Sequence, residues 1–169
     1  NYPSIKWLAN LLENFQFFSE KCAADDESVD GILLDEGFAV ILRVLGKVLG
    51  HFSCDGAIRS NIAEDMALIK CCFDFLAAKN ETCVRSKLDL VKIIANVSFR
   101  CKEAQNAVRL LDGIPILLSQ CNFDPKNPFL REWAVVAVRN ICEGNRENQS
   151  FIENIEAKMK TEHLMEEDG

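Results

Sequence analysis

The sequence predicts an all-α protein, an α-solenoid in which two- to three-helix repeats stack into a right-handed superhelix. Three observations lead there. Apolar residues recur at i, i+3 and i+4 along most of the chain, the period of an amphipathic helix. No stretch alternates with the period of a strand. And one passage is written twice. Val91–Val108 reads VKIIANVSFRCKEAQNAV and Val135–Ile152 reads VVAVRNICEGNRENQSFI. At an offset of 44 residues Asn96 falls on Asn140, Val97 on Ile141, Lys102 on Arg146, Glu103 on Glu147 and Gln105 on Gln149.

A helical self-match near this period is the mark of armadillo and HEAT arrays. Such folds bury a continuous core between neighbouring repeats and expose a long concave surface that binds other proteins. The elements follow in order. Ser4 is placed to cap a first helix through Ile5, Leu8, Leu12, Phe15 and Phe18. Residues 23–37 hold six acids and two glycines and read as a loop or solvated insertion. Phe38–Phe52 is a strong helix through Leu42, Leu45 and Leu49. Ala57–Glu64, Met66–Lys79, Val84–Phe99 and Glu103–Leu111 continue the pattern. Gly113 is expected to end a helix in the left-handed conformation, with Pro115 opening the next. Asn127-Pro128 repeats that start signal as cap and first-turn proline. Leu130–Cys142 is apolar nearly all round, as a helix packed on several sides is. Gly144 stops it, and Glu147–Lys160 is amphipathic. A weaker upstream copy aligns Val44–Ile62 with Leu90–Val108 at offset 46, placing Gly50 opposite Asn96.

This divides the chain into an N-terminal helix of a degenerate repeat with an acidic loop (1–36), repeats over 37–80, 81–122 and 123–160 with a capping helix in the last, and a frayed acidic tail (161–169). The chain does not begin with Met and reads as part of a longer protein.

Composition narrows the function. Hydrophobic residues make up 49%, which suits a globular core and not a disordered chain. No uncharged apolar run approaches the ~20 residues that span a membrane. The net charge of −7 is uneven: −5 over 1–80, +2 over 81–150 and −4 over 151–169. Acidic ends disfavour phosphate backbones, and +2 is far from a nucleic-acid patch. The partners expected are therefore other proteins, not nucleic acid or membrane, with self-association through a solenoid end as a further mode.

The eight cysteines, at 22, 54, 71, 72, 83, 101, 121 and 142, include no CxxC and mostly sit among aliphatic residues at helical intervals. They read as reduced core thiols. The alternative is a thiol- or metal-dependent regulatory module, but zinc-type ligand spacing is lacking, and no cofactor or metal is expected. The sequons at Asn80, Asn96 and Asn148 read as chance matches in a cytoplasmic protein. His51 and Cys54 could share a helix face, yet nothing supplies an oxyanion site or a phosphate loop, so no catalysis is expected.

Residues 88–152 resemble the C-terminal region of the ataxin-10 family. The residues carrying this are Asp112-Gly113-Ile114-Pro115, Cys121-Asn122, Asp124, Asn127-Pro128-Phe129, Glu132-Trp133-Ala134, Ala137, Arg139-Asn140, Glu143, Asn145 and Asn148-Gln149. The resemblance implies an armadillo-like cytoplasmic scaffold without catalytic activity, associated with cytokinesis and, in animals, with neuronal survival and neurite outgrowth. The same stretch resembles the general armadillo repeat, with Asn140 and the Gly144-Asn145-Arg146-Glu147-Asn148 turn in place. Peptide-gripping armadillo grooves carry a Trp four residues before that Asn; here Val136 and Lys92 stand there, so a basic extended peptide is not the expected ligand.

The candidate protein-binding residues of the concave face are Lys92, Asn96, Arg100, Val136, Arg139 and Asn140. Asn96 and Asn140 either bond a partner's backbone or tie neighbouring repeats, since an unpaired buried amide costs about 1–3 kcal/mol. Trp133 reads as a core anchor, and Phe123 and Phe129 as staples holding the Asn122–Phe129 loop down. Titration of the denatured protein is expected to return eight thiols, with few reactive beforehand; fewer than eight, or bound zinc, would favour the thiol or metal module.

Overall fold

A computed structural model describes residues 56–77 and 81–167, together with Val40, Arg43, Val44, Gly46, Lys47 and Gly50, which are helical. The first expected helix, the acidic loop and the His51/Cys54 pair lie outside the described residues. Within them every regular element is a helix: α1 Gly56–Asp65, α2 Ala67–Ala77, α3 Glu81–Val97, α4 Lys102–Leu110, α5 Gly113–Ser119, α6 Leu130–Cys142 and α7 Arg146–Glu167.

The same three-helix order occurs twice, α1-α2-α3 and α4-α5-α6, and the chain turns at matching points. Met66 (φ 57°) separates α1 from α2, and Asp112 (φ 53°) separates α4 from α5, 46 residues on. Arg100 (φ 51°) leads from α3 to α4, and Gly144 (φ 65°) leads from α6 to α7, 44 residues on. Left-handed backbone strains any residue with a Cβ by about 1–2 kcal/mol. Gly144 avoids that cost; Met66, Arg100 and Asp112 bear it, and the packing on either side holds them there.

The core joins both units. Ile69, Leu90, Ile93, Ile94, Ile114, Leu117 and Leu130 are its largest fully buried side chains. Each contributes roughly 1.5–3 kcal/mol by leaving water. Among the described helices, α3 and α6 pack more extensively on each other than any other pair does. They run parallel: Lys92 lies beside Trp133, and the Ala95 carbonyl beside Asn140. The helical residues at 40–50 lie parallel along the other side of α3. Arg43 faces Asp89, Gly46 faces Lys92 and Ile93, and Gly50 faces Asn96, which is the register of the upstream alignment at offset 46.

Helix ends differ from the sequence reading at three places. Asp112, not Gly113, takes the left-handed conformation, and Gly113 is the first residue of α5. The reason is a close approach: a Cβ on Gly113 would stand 2.3 Å from Cζ of the buried Phe73. Asn127-Pro128 is not cap and first turn, because α6 begins at Leu130 and Phe129 takes the cap position. The Asn127 amide is drawn back to Asp124 Oδ2 (3.0 Å) instead. The tail is not frayed from residue 161: α7 continues to Glu167, through a run of good helix formers such as Glu, Leu and Met.

Cys71, Cys72, Cys101, Cys121 and Cys142 are free thiols. Burial pushes the Cys72 thiol well above its ordinary value and raises Cys101, Cys121 and Cys142 as well. Among the described residues no cluster of His, Cys, Asp or Glu is placed to hold a metal, and the thiol or metal reading has no support in these groups. Among them, too, no helix is long and apolar enough to cross a membrane.

Gly113→Ala is expected to lower stability by about 1–3 kcal/mol, the usual cost of overpacking, because both Phe73 and the α5 backbone are held. Urea unfolding followed by circular dichroism measures it; an unchanged midpoint would mean the Phe73 ring moves aside freely.

Candidate functional site

Two features are built where the units meet: a buried seam of amides and an exposed face. The seam starts from a helix-end problem. The last carbonyls of α3 and α6 have no partner inside their own helices. Gln105, on α4, points Nε2 at Ser98 O (3.3 Å), Asn140 O (2.9 Å) and Glu143 O (3.2 Å). Asn148, on α7, donates from Nδ2 to Ile141 O (2.8 Å) and Gln105 O (2.9 Å). Asn145 caps α7, its Oδ1 accepting the Asn148 N–H (3.2 Å), while its Nδ2 reaches Gln105 Oε1 (3.3 Å) and Asn106 Oδ1 (3.0 Å). Gln149 repeats what Gln105 does: Gln105 to Ser98 O and Gln149 to Cys142 O (2.8 Å) are the same bond, 44 residues apart. Arg109 pairs with Glu147 across the outer edge of the seam. Asn145 and Asn148 are fully buried, and Gln105 nearly so.

The exposed face lies on the parallel helices. From α3 it shows Asp89, Lys92 and Asn96; from α6, Phe129 at the cap, Trp133 and Val136. Arg43 Nε stands 4.0 Å from Asp89 Oδ2, and Lys92 Nζ 3.7 Å from Asp89 Oδ1. The same ammonium lies 5.6 Å from the centroid of the Trp133 ring, a cation–π contact between the two units. Phe129 is 65% exposed and Val136 39%.

The six predicted face residues divide accordingly. Lys92 and Val136 line the face. Asn96 is half-buried and donates to Gly46 O (2.9 Å), and Asn140, 7% exposed, donates to Ala95 O (2.8 Å). Both amides are engaged between neighbouring helices. Arg100 is the left-handed turn residue; its guanidinium sits over Phe99 (5.1 Å) and beside Glu143 (3.7 Å). Arg139 is exposed on α6 beyond Val136.

Trp133 packs against the core with one side, beneath Lys92. Phe123 and Phe129 are not staples: Phe123 is 77% exposed. The loop is held by Asp124 instead, whose carboxylate accepts from the Lys126 N–H (2.9 Å) and the Asn127 amide (3.0 Å) and faces Lys87 Nζ (3.9 Å). Those hydrogen bonds, that of Asn127 foremost, hold its carboxyl below the usual carboxylate range. Polar anchoring leaves both rings pointing outward.

Sequence reasoning missed Gln105, Asn145 and Asn148 as seam residues. The signal was there, since Gln105 and Gln149 coincide in the repeat.

A family model described as the spinocerebellar ataxia type 10 protein domain matches residues 86–168. The ataxin-10 homolog of Dictyostelium discoideum is 44% identical over 72 residues, covering 43% of this chain and 12% of that protein. Ataxin-10 of Homo sapiens is 41% identical over 70 residues, covering 41% of this chain and 15% of that protein. Ataxin-10 of Xenopus tropicalis is 44% identical over 70 residues, covering 41% and 14%. The chain thus matches 12–15% of the length of these relatives. No solved structure matches it.

Gln105→Ala is expected to destabilise the protein by about 1–3 kcal/mol, because it leaves buried carbonyls without donors, whereas Gln149→Ala, at an exposed position, changes stability by under about 1 kcal/mol. Paired thermal melts check this; equal effects would mean the seam does not carry the junction.

Proposed function

Because this chain belongs to the ataxin-10 family, we propose that it is a non-catalytic protein-interaction scaffold whose working surface is the face of α3 and α6. The observation that carries the reading is the parallel alignment of the 40–50 helical residues, α3 and α6, with Trp133, Phe129 and Val136 displayed across it. The architecture belongs to the same proposal: an armadillo-like α-solenoid winding as a right-handed superhelix. The twofold recurrence of left-handed turns and the repeated amide bond support it. Solenoids use such a side-by-side row of helices as their concave surface.

An interaction role fits the chemistry. Aromatic side chains presented on a rigid framework bind at low ordering cost. Cytoplasmic placement, and the association of the family with cytokinesis and with neuronal survival and neurite outgrowth, complete the proposal. Lys92→Glu is a poor probe, since it also removes the contact to Trp133. Val136→Asp with Arg139→Glu changes two side chains at the surface of α6 that form no side-chain hydrogen bond or ion pair among the described residues.

Crosslinking and mass spectrometry of the full-length protein in cells tests the reading. The double variant is expected to lose its crosslinked partners several-fold with an unchanged melting temperature, while Leu110→Asp, at an exposed position on α4, keeps them. Undiminished partners in the double variant would remove this face from the function.

A further inference from the structure

Resting on the scaffold reading above, we infer that the α3/α6 face takes an amphipathic α-helix with an acidic flank, supplied by another protein, and not an extended peptide. The first argument concerns backbone hydrogen bonds. An extended chain brings unpaired N–H and C=O groups to the surface it docks on, and each needs a partner there. Side-chain amides in a row can supply them. On this face each amide already spends an Nδ2 N–H on a neighbouring helix, Asn96 on Gly46 O (2.9 Å) and Asn140 on Ala95 O (2.8 Å), which fixes its orientation inward. Asn140 is also 7% exposed, beneath the surface a ligand would touch. Among Phe129, Trp133 and Val136, the indole N–H of Trp133 is the sole hydrogen-bond donor. A helix satisfies its own backbone internally and asks the surface for apolar contact alone.

The second argument is shape. Phe129, Trp133 and Val136 follow one another at i, i+4 and i+7 along α6. At ~1.5 Å per residue they make a ridge about 10 Å long. That matches two turns of a partner helix carrying apolar residues at the same spacing, packed ridge into groove.

The third is charge. Arg43 and Lys92 share the single carboxylate of Asp89, at 4.0 and 3.7 Å, so one cation is in excess there. Arg139 is exposed beside Val136 and forms no ion pair among the described residues. Glu132, two turns earlier, and Glu143, one turn later, are exposed acids of the same side, and Glu143 is already paired with Arg100 (3.7 Å). The face is therefore net positive in a chain of net charge −7, and a carboxylate flanking the partner's apolar stripe pairs with it.

The test is selection of a displayed random library of 16-residue peptides on the purified 169-residue chain, followed by affinity measurement with synthetic versions of the selected peptides. The expected peptides carry apolar residues at i, i+3 or i+4 and i+7, with Asp or Glu alongside. They gain helical circular dichroism on binding, and bind Val136→Asp and Arg139→Glu each at least tenfold more weakly, with both variants melting as wild type. Selected peptides that are basic, or that bind in an extended form, overturn the inference; so does binding that neither variant weakens. If cellular crosslinks still depend on Val136 and Arg139 when the selected peptides are extended, the helix inference fails while the scaffold reading stands. If neither crosslinks nor peptides depend on them, both fail.

Discussion

The structure depends on how the carbonyls at the ends of α3 and α6 find donors. A helix that ends inside a protein leaves several carbonyls without partners, away from water. Here one buried side chain, Gln105, turns its amide toward the ends of both helices at once. Its own backbone carbonyl and Oε1 then accept from Asn148 and Asn145. The result ties α3, α4, α6 and α7 at a single point, and helices anchored there cannot slide along one another without leaving donors or acceptors unmade. Apolar packing alone would be more permissive, since it is nondirectional. The amides specify the register, and the aliphatic core supplies most of the stabilisation.

That arrangement has a consequence for the exposed face. Asn96 and Asn140 stand where amides in a peptide groove would stand, but each is bound to the helix beside it. Gly50 makes this feasible for Asn96, since a Cβ there would stand 2.9 Å from the Asn96 amide nitrogen. What remains outward is aromatic and aliphatic: Trp133 under Lys92, with Phe129 and Val136 in line. The same preference for polar anchoring acts in the Asn122–Phe129 loop, where Asp124 holds the backbone and the two phenylalanines are left exposed. Stability and display are thus divided between residue types in an unusual direction: amides inward, rings outward.

Much of this was legible beforehand. The helical class, the positions of α1, α2, α3, α4 and α6 to within a few residues, and the 44-residue correspondence follow from apolar periodicity and self-similarity, which are local in the chain. The family resemblance, too, was carried by residues of the 88–152 stretch, and it is now clear what several of them do. Asn140, Asn148 and Gln149 bind helix-end carbonyls, Asn145 caps α7 and donates to the side chains of Gln105 and Asn106, and Gly113 makes room for Phe73. Of the six residues expected on a binding face, Lys92, Val136 and Arg139 lie along α3 and α6 on the proposed face, while the Asn96 and Asn140 amides bond neighbouring helices and Arg100 pairs with Glu143.

Taken by itself, the sequence determined the helices, their repetition and the family, because each is encoded in spacing between residues near one another in the chain. Tertiary structure alone decided which polar residues turn inward. An asparagine on an apolar helix has the same local signature whether it meets a ligand or the carbonyl of a residue 45 positions away, as Asn140 meets Ala95. Periodicity likewise cannot say whether a loop phenylalanine tucks in or points out, since that turns on whether a carboxylate such as Asp124 already holds the loop. The first outcome rests on a hydrogen bond between groups 45 residues apart that only the packed helices bring within reach; the second rests on short-range side-chain bonds to Asp124, which leave no mark in apolar periodicity.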